Sequence, residues 1–345
     1  MPPTLENPFT PKSALPKKRL FGGEEKQPKR KKEMAKKIKN KVELARIEKV
    51  FSAEIYQDKI NSLKETGVIK QLENGQWGIV DILGKERPVP SYEEVKARIE
   101  AKSELLARKI EQGFTELLLV PIGAPLSFLI DRTRDLIVKK HKKGKLLGTD
   151  GTKLDLNEEQ PVYIDDIYKD ADVKGDLVYY PQKFDQQNHG GKTKAELLEG
   201  WLASRSSESV GWQILLIENL PDLPAKANED ESNVKVIKGR KQLGADLSPR
   251  EYLEIIQTGP EYANEQFTTP EAQLIYFLEY LQRNNQVIDD WQGQGKICWN
   301  VGAYFKGKGA VPSTYWVRFN QRFRLAWDGP AFHHADNAAR ASVKF

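Results

Sequence analysis

The sequence predicts an α+β fold, on three observations. Apolar residues recur at three- and four-residue steps in two segments of the first third of the chain, the mark of amphipathic helices. Later segments hold short β-prone runs separated by turn-forming residues. The 345 residues are 39% hydrophobic and 30% charged, enough apolar material for a packed core and too much for a wholly disordered chain. A chain of this length corresponds to about two domains, with room for a third.

Residues 1–33 are rich in Pro, Lys and Gly and poor in large apolar side chains. They read as a disordered basic arm. From Glu33 to about Lys64, Leu44, Ile47, Phe51 and Ile55 form one apolar stripe, and Gly67 is placed to end the helix. A β patch from Trp77 to Ile82 follows an Asn74-Gly75 turn. Ser91 and Glu94 form a capping box, and Val95, Ile99, Leu106 and Ile110 stripe the helix after it. Residues 34–114 are therefore expected to form a helical stalk or oligomerisation region with a small hairpin. The alternative is that these helices pack on the body.

Residues 115–345 have a different texture. A helix is expected from Pro125 to Lys140, then short strands at Lys145–Leu147, Pro161–Ile164, Leu177–Tyr180 and Trp212–Ile217. An acidic loop, Pro221 to Ser232, reads as exposed. Ser248-Pro249-Arg250-Glu251 and Thr269-Pro270-Glu271 each signal a helix start. The last 50 residues read as strands and loops.

Charge and residue usage exclude several classes. Residues 1–45 carry 13 Lys/Arg against 5 Asp/Glu, a net of +8, so the remaining residues carry −3 of the overall +5. The basicity belongs to the arm, where Lys29-Arg30-Lys31-Lys32 suits phosphates of a nucleic acid or another acidic partner. A single cysteine, Cys298, excludes a disulfide framework. Four scattered histidines speak against a histidine-rich metal enzyme. No apolar run follows the basic stretch Lys17-Lys18-Arg19, so no export signal is read. The longest uncharged stretch, Leu117–Ile130, falls short of the roughly 20 apolar residues of a membrane span. The default expectation is the cytoplasm, with surface display by a route that needs no cleaved signal left open.

Motif tests return no catalytic centre. His189-Gly190-Gly191-Lys192-Thr193 looks like a phosphate-binding loop, but that motif requires glycine where Gln186 stands. It reads instead as a turn before a helix at Lys194–Leu198. His333-His334 lacks further ligands for a metal. Asp165-Asp166 and Asp289-Asp290 read as turn or helix-end residues. Cys298, between Ile297 and Trp299, reads as a buried, inert thiol. No metal, cofactor or catalytic residue is expected.

Residues 301–345 stand apart. They hold 9 of the 32 aromatic residues and only two acids, Asp328 and Asp336. Aromatic residues and arginine with few acids are the side chains that dominate binding hot spots. Here three stretches are decisive: Val301-Gly302-Ala303-Tyr304-Phe305, Val311-Pro312-Ser313-Thr314-Tyr315-Trp316 and Asn337-Ala338-Ala339-Arg340-Ala341-Ser342-Val343. They resemble the C-terminal variable region of proteins diversified by diversity-generating retroelements, in the forms found in candidate-phyla bacteria. Gly191-Lys192-Thr193-Lys194, Gly211-Trp212, Gly239-Arg240-Lys241-Gln242-Leu243 and Asn285-Gln286-Val287-Ile288-Asp289-Asp290 fit the same family, so the resemblance spans roughly residues 115–345.

The resemblance implies a C-type lectin-like fold, of the kind shared with formylglycine-generating enzymes, whose last strands and loops display a ligand-binding surface. It implies a reverse transcriptase that miscopies adenines of a template repeat. The candidate variable positions are Ala310, Ser313, Val317, Phe319, Asn320, Phe323, Ala326, Asp328, Ala331, Phe332, His333, His334, Ala335 and Asp336. None is a residue type that randomised AAC or AAT codons cannot encode. Trp316 and Trp327 are expected to fill the core beneath the display surface. Arg318, Arg322 and Arg340 are expected to hold loops through backbone carbonyls. Ala338 stands where the family ending carries glycine, which would strain a positive φ. His333 and His334 would make binding sensitive to pH between about 5 and 7.

Taken together, these features predict a non-catalytic binding protein for varied protein or surface ligands. A competing reading is a nucleic-acid-associated protein anchored by its arm. An enzyme on the same fold is disfavoured, because the formylglycine-generating relatives need a cysteine pair and Cys298 stands alone.

Overall fold

The computed structural model describes residues 41–204, 209–224 and 234–345. The basic arm, and the acidic loop beyond Pro224 as far as Ser232, lie outside the described residues. Residues 43–345 form one compact unit with mixed α and β structure.

The first helix does not run on to Lys64. Helical structure covers residues 41–47, and after an irregular stretch Ser52 starts a new helix, α1 (Ala53–Glu65), its hydroxyl accepting from the Ile55 amide at 3.2 Å. Serine's preference for the N-cap outweighs the continuity of the apolar stripe. A three-stranded antiparallel sheet follows, β1 (Lys70–Gln71), β2 (Trp77–Val80) and β3 (Glu86–Pro88). Its first turn needs Gly75, at φ +81. The expected helix after Ser91 is two, α2 (Tyr92–Ala101) and α3 (Ser103–Glu111), broken at Lys102. The capping box at Ser91 and Glu94 is present.

Ile47, Phe51, Leu63, Val95, Ile99 and Leu106 share one core with β4 (Phe114–Val120). Lys59 of α1 is buried against Glu116 of β4 and Glu279, far along the chain. Residues 43–114 therefore lie on the body, the alternative to a helical stalk. Ile47 and Phe51 of the first stripe and Val95, Ile99 and Leu106 of the second are buried in that core, while Leu44 stays 44% exposed.

After β4 the chain forms α4 (Leu126–Lys142), β5 (Val162–Ile164), a helical turn at Ala171–Lys174, β6 (Leu177–Tyr179) and β7 (Lys192–Thr193). Next come α5 (Lys194–Ala203), β8 (Gln213–Glu218), β9 (Val236–Ile237), β10 (Arg240–Lys241) and α6 (Pro249–Thr258). Then β11 (Gln266–Phe267), α7 (Pro270–Asn284), β12 (Asp290–Trp291) and β13 (Ile297–Trp299) lead to β14 (Ala303–Phe305). The chain closes with β15 (Val311–Val317), β16 (Arg322–Asp328), β17 (Asn337–Ala339) and β18 (Ala341–Lys344). Capping boxes begin α5 and α6, and Thr269 caps α7.

Two sheets carry the body. A four-stranded antiparallel sheet has the order β11-β18-β8-β4. A six-stranded mixed sheet runs β17-β13-β15-β16-β5, with β12 also pairing β15. A smaller sheet pairs β14, β6 and β7. α7 touches β4 of one large sheet and β15 of the other, and most of its side chains are buried. A helix covered nearly all round belongs to the interior, where apolar residues such as Leu274, Phe277 and Leu278 exclude water on every side. No helix among the described residues is long and apolar enough to cross a membrane.

Charges are buried beside this core in closed groups. Lys194, at the start of α5, contacts Asp172 at 2.6 Å, Glu271 at 2.9 Å and the Ala124 carbonyl at 2.7 Å, with all three charged side chains no more than 2% exposed. Tyr179 donates to Glu271 at 2.6 Å. The Gly-rich segment singled out in the sequence thus delivers a lysine to the interior.

Candidate ligand-display surface

The β15–β16 hairpin decides which candidate positions are available to a ligand. Its antiparallel register sets Trp316 opposite Phe323, Tyr315 opposite Arg324 and Ser313 opposite Ala326. Cross-strand partners share a face, and neighbours along a strand alternate. Phe323 faces α7, its ring 4.4 Å from that of Phe277, and is 1% exposed. Arg322 and Arg324 take the other face and flank the Tyr163 ring at 4.6 and 5.1 Å.

Five of the candidate variable positions are therefore buried and are corrected. Phe323 belongs to the core beside Trp316. Ala310 closes the turn after β14, its carbonyl accepting from Phe305 at 2.8 Å, within the same core. Ser313 and Ala326 lie under Tyr168, whose hydroxyl donates to the Ala326 carbonyl at 2.7 Å. Val317 packs with Tyr315 and Ala326 against Trp291 and Ile297. The codon argument selects residue types, and it is blind to strand alternation.

The exposed candidates fall in two places. Phe319, 82% exposed, and Asn320 form the hairpin turn with Gln321, which adopts φ +54. The Phe319 amide donates to the Gln292 side chain at 3.0 Å. The second place is the loop between β16 and β17, where Ala331, Phe332, His333, His334 and Ala335 are all exposed in succession. Asp328 and Asp336 are half-buried at its two ends.

This loop is held firmly although its side chains are presented. The Phe332 amide donates to Gly329 at 2.9 Å, Arg250 donates to the Pro330 carbonyl at 3.0 Å, and Asn337 donates to His334 at 2.9 Å. Asp336 is gripped by Lys296 at 2.6 Å and by the Trp291 indole N–H at 3.2 Å. Lys296 first, then Trp291, hold the Asp336 carboxyl below the usual carboxylate range. Burial pushes the Asp328 carboxyl up, against the pull of Arg324. Phe332 meets Trp299 edge-on at 6.3 Å and stacks on His334 at 6.3 Å. The Asp336 amide donates to His334 Nδ1 at 3.1 Å, so a neutral ring carries its proton on Nε2. His333 Nδ1 lies 3.2 Å from Asp246.

The expected scaffold residues divide. Trp316 is fully buried in the core, whereas Trp327 is 40% exposed and is corrected. It shares a side with Phe323 and Leu325 but lies at the strand end, past what covers them. Arg318 binds carboxylates, not carbonyls: Asp290 at 2.6 Å and Asp150 at 2.8 Å. Arg322 binds the Gln160 side chain and the Tyr163 ring. Arg340 does reach a carbonyl, Leu220 at 2.6 Å, and also pairs with Asp289 at 3.0 Å. Ala338 sits in β17 opposite Cys298 without positive φ, so no strain arises there.

Asp289 and Asp290 are the residues the sequence reading undervalued. They are 1% and 0% exposed and anchor Arg340 and Arg318 beneath the sheet. No local pattern marks them, because Arg340 and Arg318 lie far along the chain. Burial pushes the Cys298 thiol far up, as an apolar strand position dictates. Among the described residues no cluster of three or more His, Cys, Asp or Glu is arranged to hold a metal. No family model, curated protein or solved structure matches the chain.

The division between displayed and buried positions has a measurable consequence. Phe332→Ala or His334→Ala should change stability by no more than about 0.5 kcal/mol, as ordinary surface changes do. Phe323→Ala should cost about 3–5 kcal/mol through lost burial and the cavity left against Phe277. Urea denaturation of the three variants reads both, and equal costs would erase the distinction.

Proposed function

We propose that the chain is a non-catalytic ligand-binding protein of C-type lectin-like architecture, its C-terminal surface diversified by a retroelement. The observation that carries this reading is the loop of five successive exposed side chains, Ala331 to Ala335, fixed at both ends chiefly by backbone hydrogen bonds and by the Lys296–Asp336 ion pair. Such a loop accepts new side chains at little cost to folding, because the core beneath it is filled by other residues. Phe332 offers apolar area, and His333 and His334 offer donors, on a surface of hot-spot composition. The hairpin turn with Phe319 and Asn320 is a second element of the same kind.

The test lies in the DNA around the gene. We expect a near-copy of the codons for residues 302–345 beside a reverse-transcriptase frame, differing at adenines. The differing codons should fall on Phe319, Asn320 and the Asp328–Asp336 loop, and spare Ala310 and Phe323. Absence of any such repeat would overturn the reading.

A further inference from the structure

A second site lies well away from the display loop in sequence, in a cleft of about 420 Å3 between α1 and α7. Paired helices normally turn apolar stripes toward each other. Here the facing stripes are polar. α1 supplies Asp58, Ser62 and Glu65, at the i, i+4, i+7 spacing of one helix face, and α7 supplies Glu279, Gln282 and Arg283.

The charge in the cleft is unbalanced. Lys59 is buried between Glu116 and Glu279, and Arg283 reaches Glu116 at 3.0 Å. Adding Asp58 and Glu65 sets four carboxylates against two cations. Two acceptors are left over as well: Glu279 uses Oε2 on Lys59 at 2.5 Å, while its Oε1 and the Gln282 Oε1 are buried with no hydrogen-bond partner. Buried acceptors of this kind cost free energy until a donor completes them. Burial pushes the Glu279 carboxyl upward, with Lys59 opposing.

We propose that the cleft binds a small aliphatic diamine as a dication. One ammonium would supply donors to Glu279 and Gln282 at the floor, the other would meet Asp58 and Glu65 at the mouth, and the methylenes would lie along Ile55. A bare metal ion fits less well, since the volume suits an organic ligand.

Calorimetric titration of the full chain with putrescine at low salt tests the site, with butanediol as the uncharged control. We expect saturable one-to-one binding of the diamine and none of the diol. Asp58→Asn with Glu65→Gln changes only exposed carboxylates, and Gln at 65 keeps an acceptor for the Gln282 side chain, which donates to Glu65 at 2.7 Å; folding is retained, and binding should weaken at least about 10-fold, the worth of about 1.4 kcal/mol. Absence of saturable putrescine binding would overturn the proposal. So would equal affinity in the double variant, or equal binding of butanediol.

Discussion

Replacing Asp289 by alanine should cost about 3–5 kcal/mol of unfolding free energy, the range for breaking a buried ion pair from one side. Its carboxylate accepts from Arg340 at 3.0 Å and from Gln273, and both Asp289 and Arg340 are sealed from water. The asymmetry of the pair matters. A buried carboxyl stripped of its partner escapes by taking a proton, but a guanidinium has no such exit. Arg340 would stay charged in the interior with only carbonyl oxygens and the Tyr276 ring around it. The backbone adds to the cost, because Asp289 adopts φ +51, a conformation Asp and Asn tolerate and Ala resists. Asp289→Asn keeps that tolerance and an acceptor, and should lose clearly less. Urea denaturation of both variants decides the matter; equal losses would show that the lost charge carries the effect and that the acceptor and backbone conformation contribute little.

The second large effect is expected at Lys194. Methionine there keeps the length of the side chain and removes its charge, leaving Asp172 and Glu271 together in the interior. About 3–5 kcal/mol should be lost. Adding Asp172→Asn and Glu271→Gln to Lys194→Met should recover part of it, because the members of one network are not additive. A triple variant no more stable than the single would mean that Lys194 acts through packing and its bond to the Ala124 carbonyl alone.

These two positions show what was legible in the sequence and what was not. Helix starts were legible because capping is local: Ser91 with Glu94, Ser248 with Glu251 and Thr269 before Pro270 each announce a helix within four residues. β4 was not separable from its surroundings, since Phe114–Val120 merges with the apolar run that reaches into α4, and a buried strand without alternation has no period to detect. The break at Lys102 left no signal, because both halves keep the same apolar stripe. In the display surface, residue types were legible but faces were not. Phe323 and Phe332 are the same residue type, and only the register against Trp316 and Thr314 puts one inside and leaves the other outside. Asp289-Asp290 read as a turn because their partners, Arg340 and Arg318, lie some 30 to 50 residues away, a separation no local pattern spans.

The position of β18 has a consequence for protein production. It is an inner strand of the four-stranded sheet, between β11 and β8, yet it follows the displayed loop in the chain. Until translation passes Lys344, β8 and β11 lack the neighbour that joins them, so this sheet cannot finish forming on the ribosome before the loop has emerged. A stop codon or a shifted frame ahead of β18 therefore yields a chain with an open sheet. Cellular proteases clear such chains. A chain that accumulates has therefore been translated in frame through β16, the loop after it and β17.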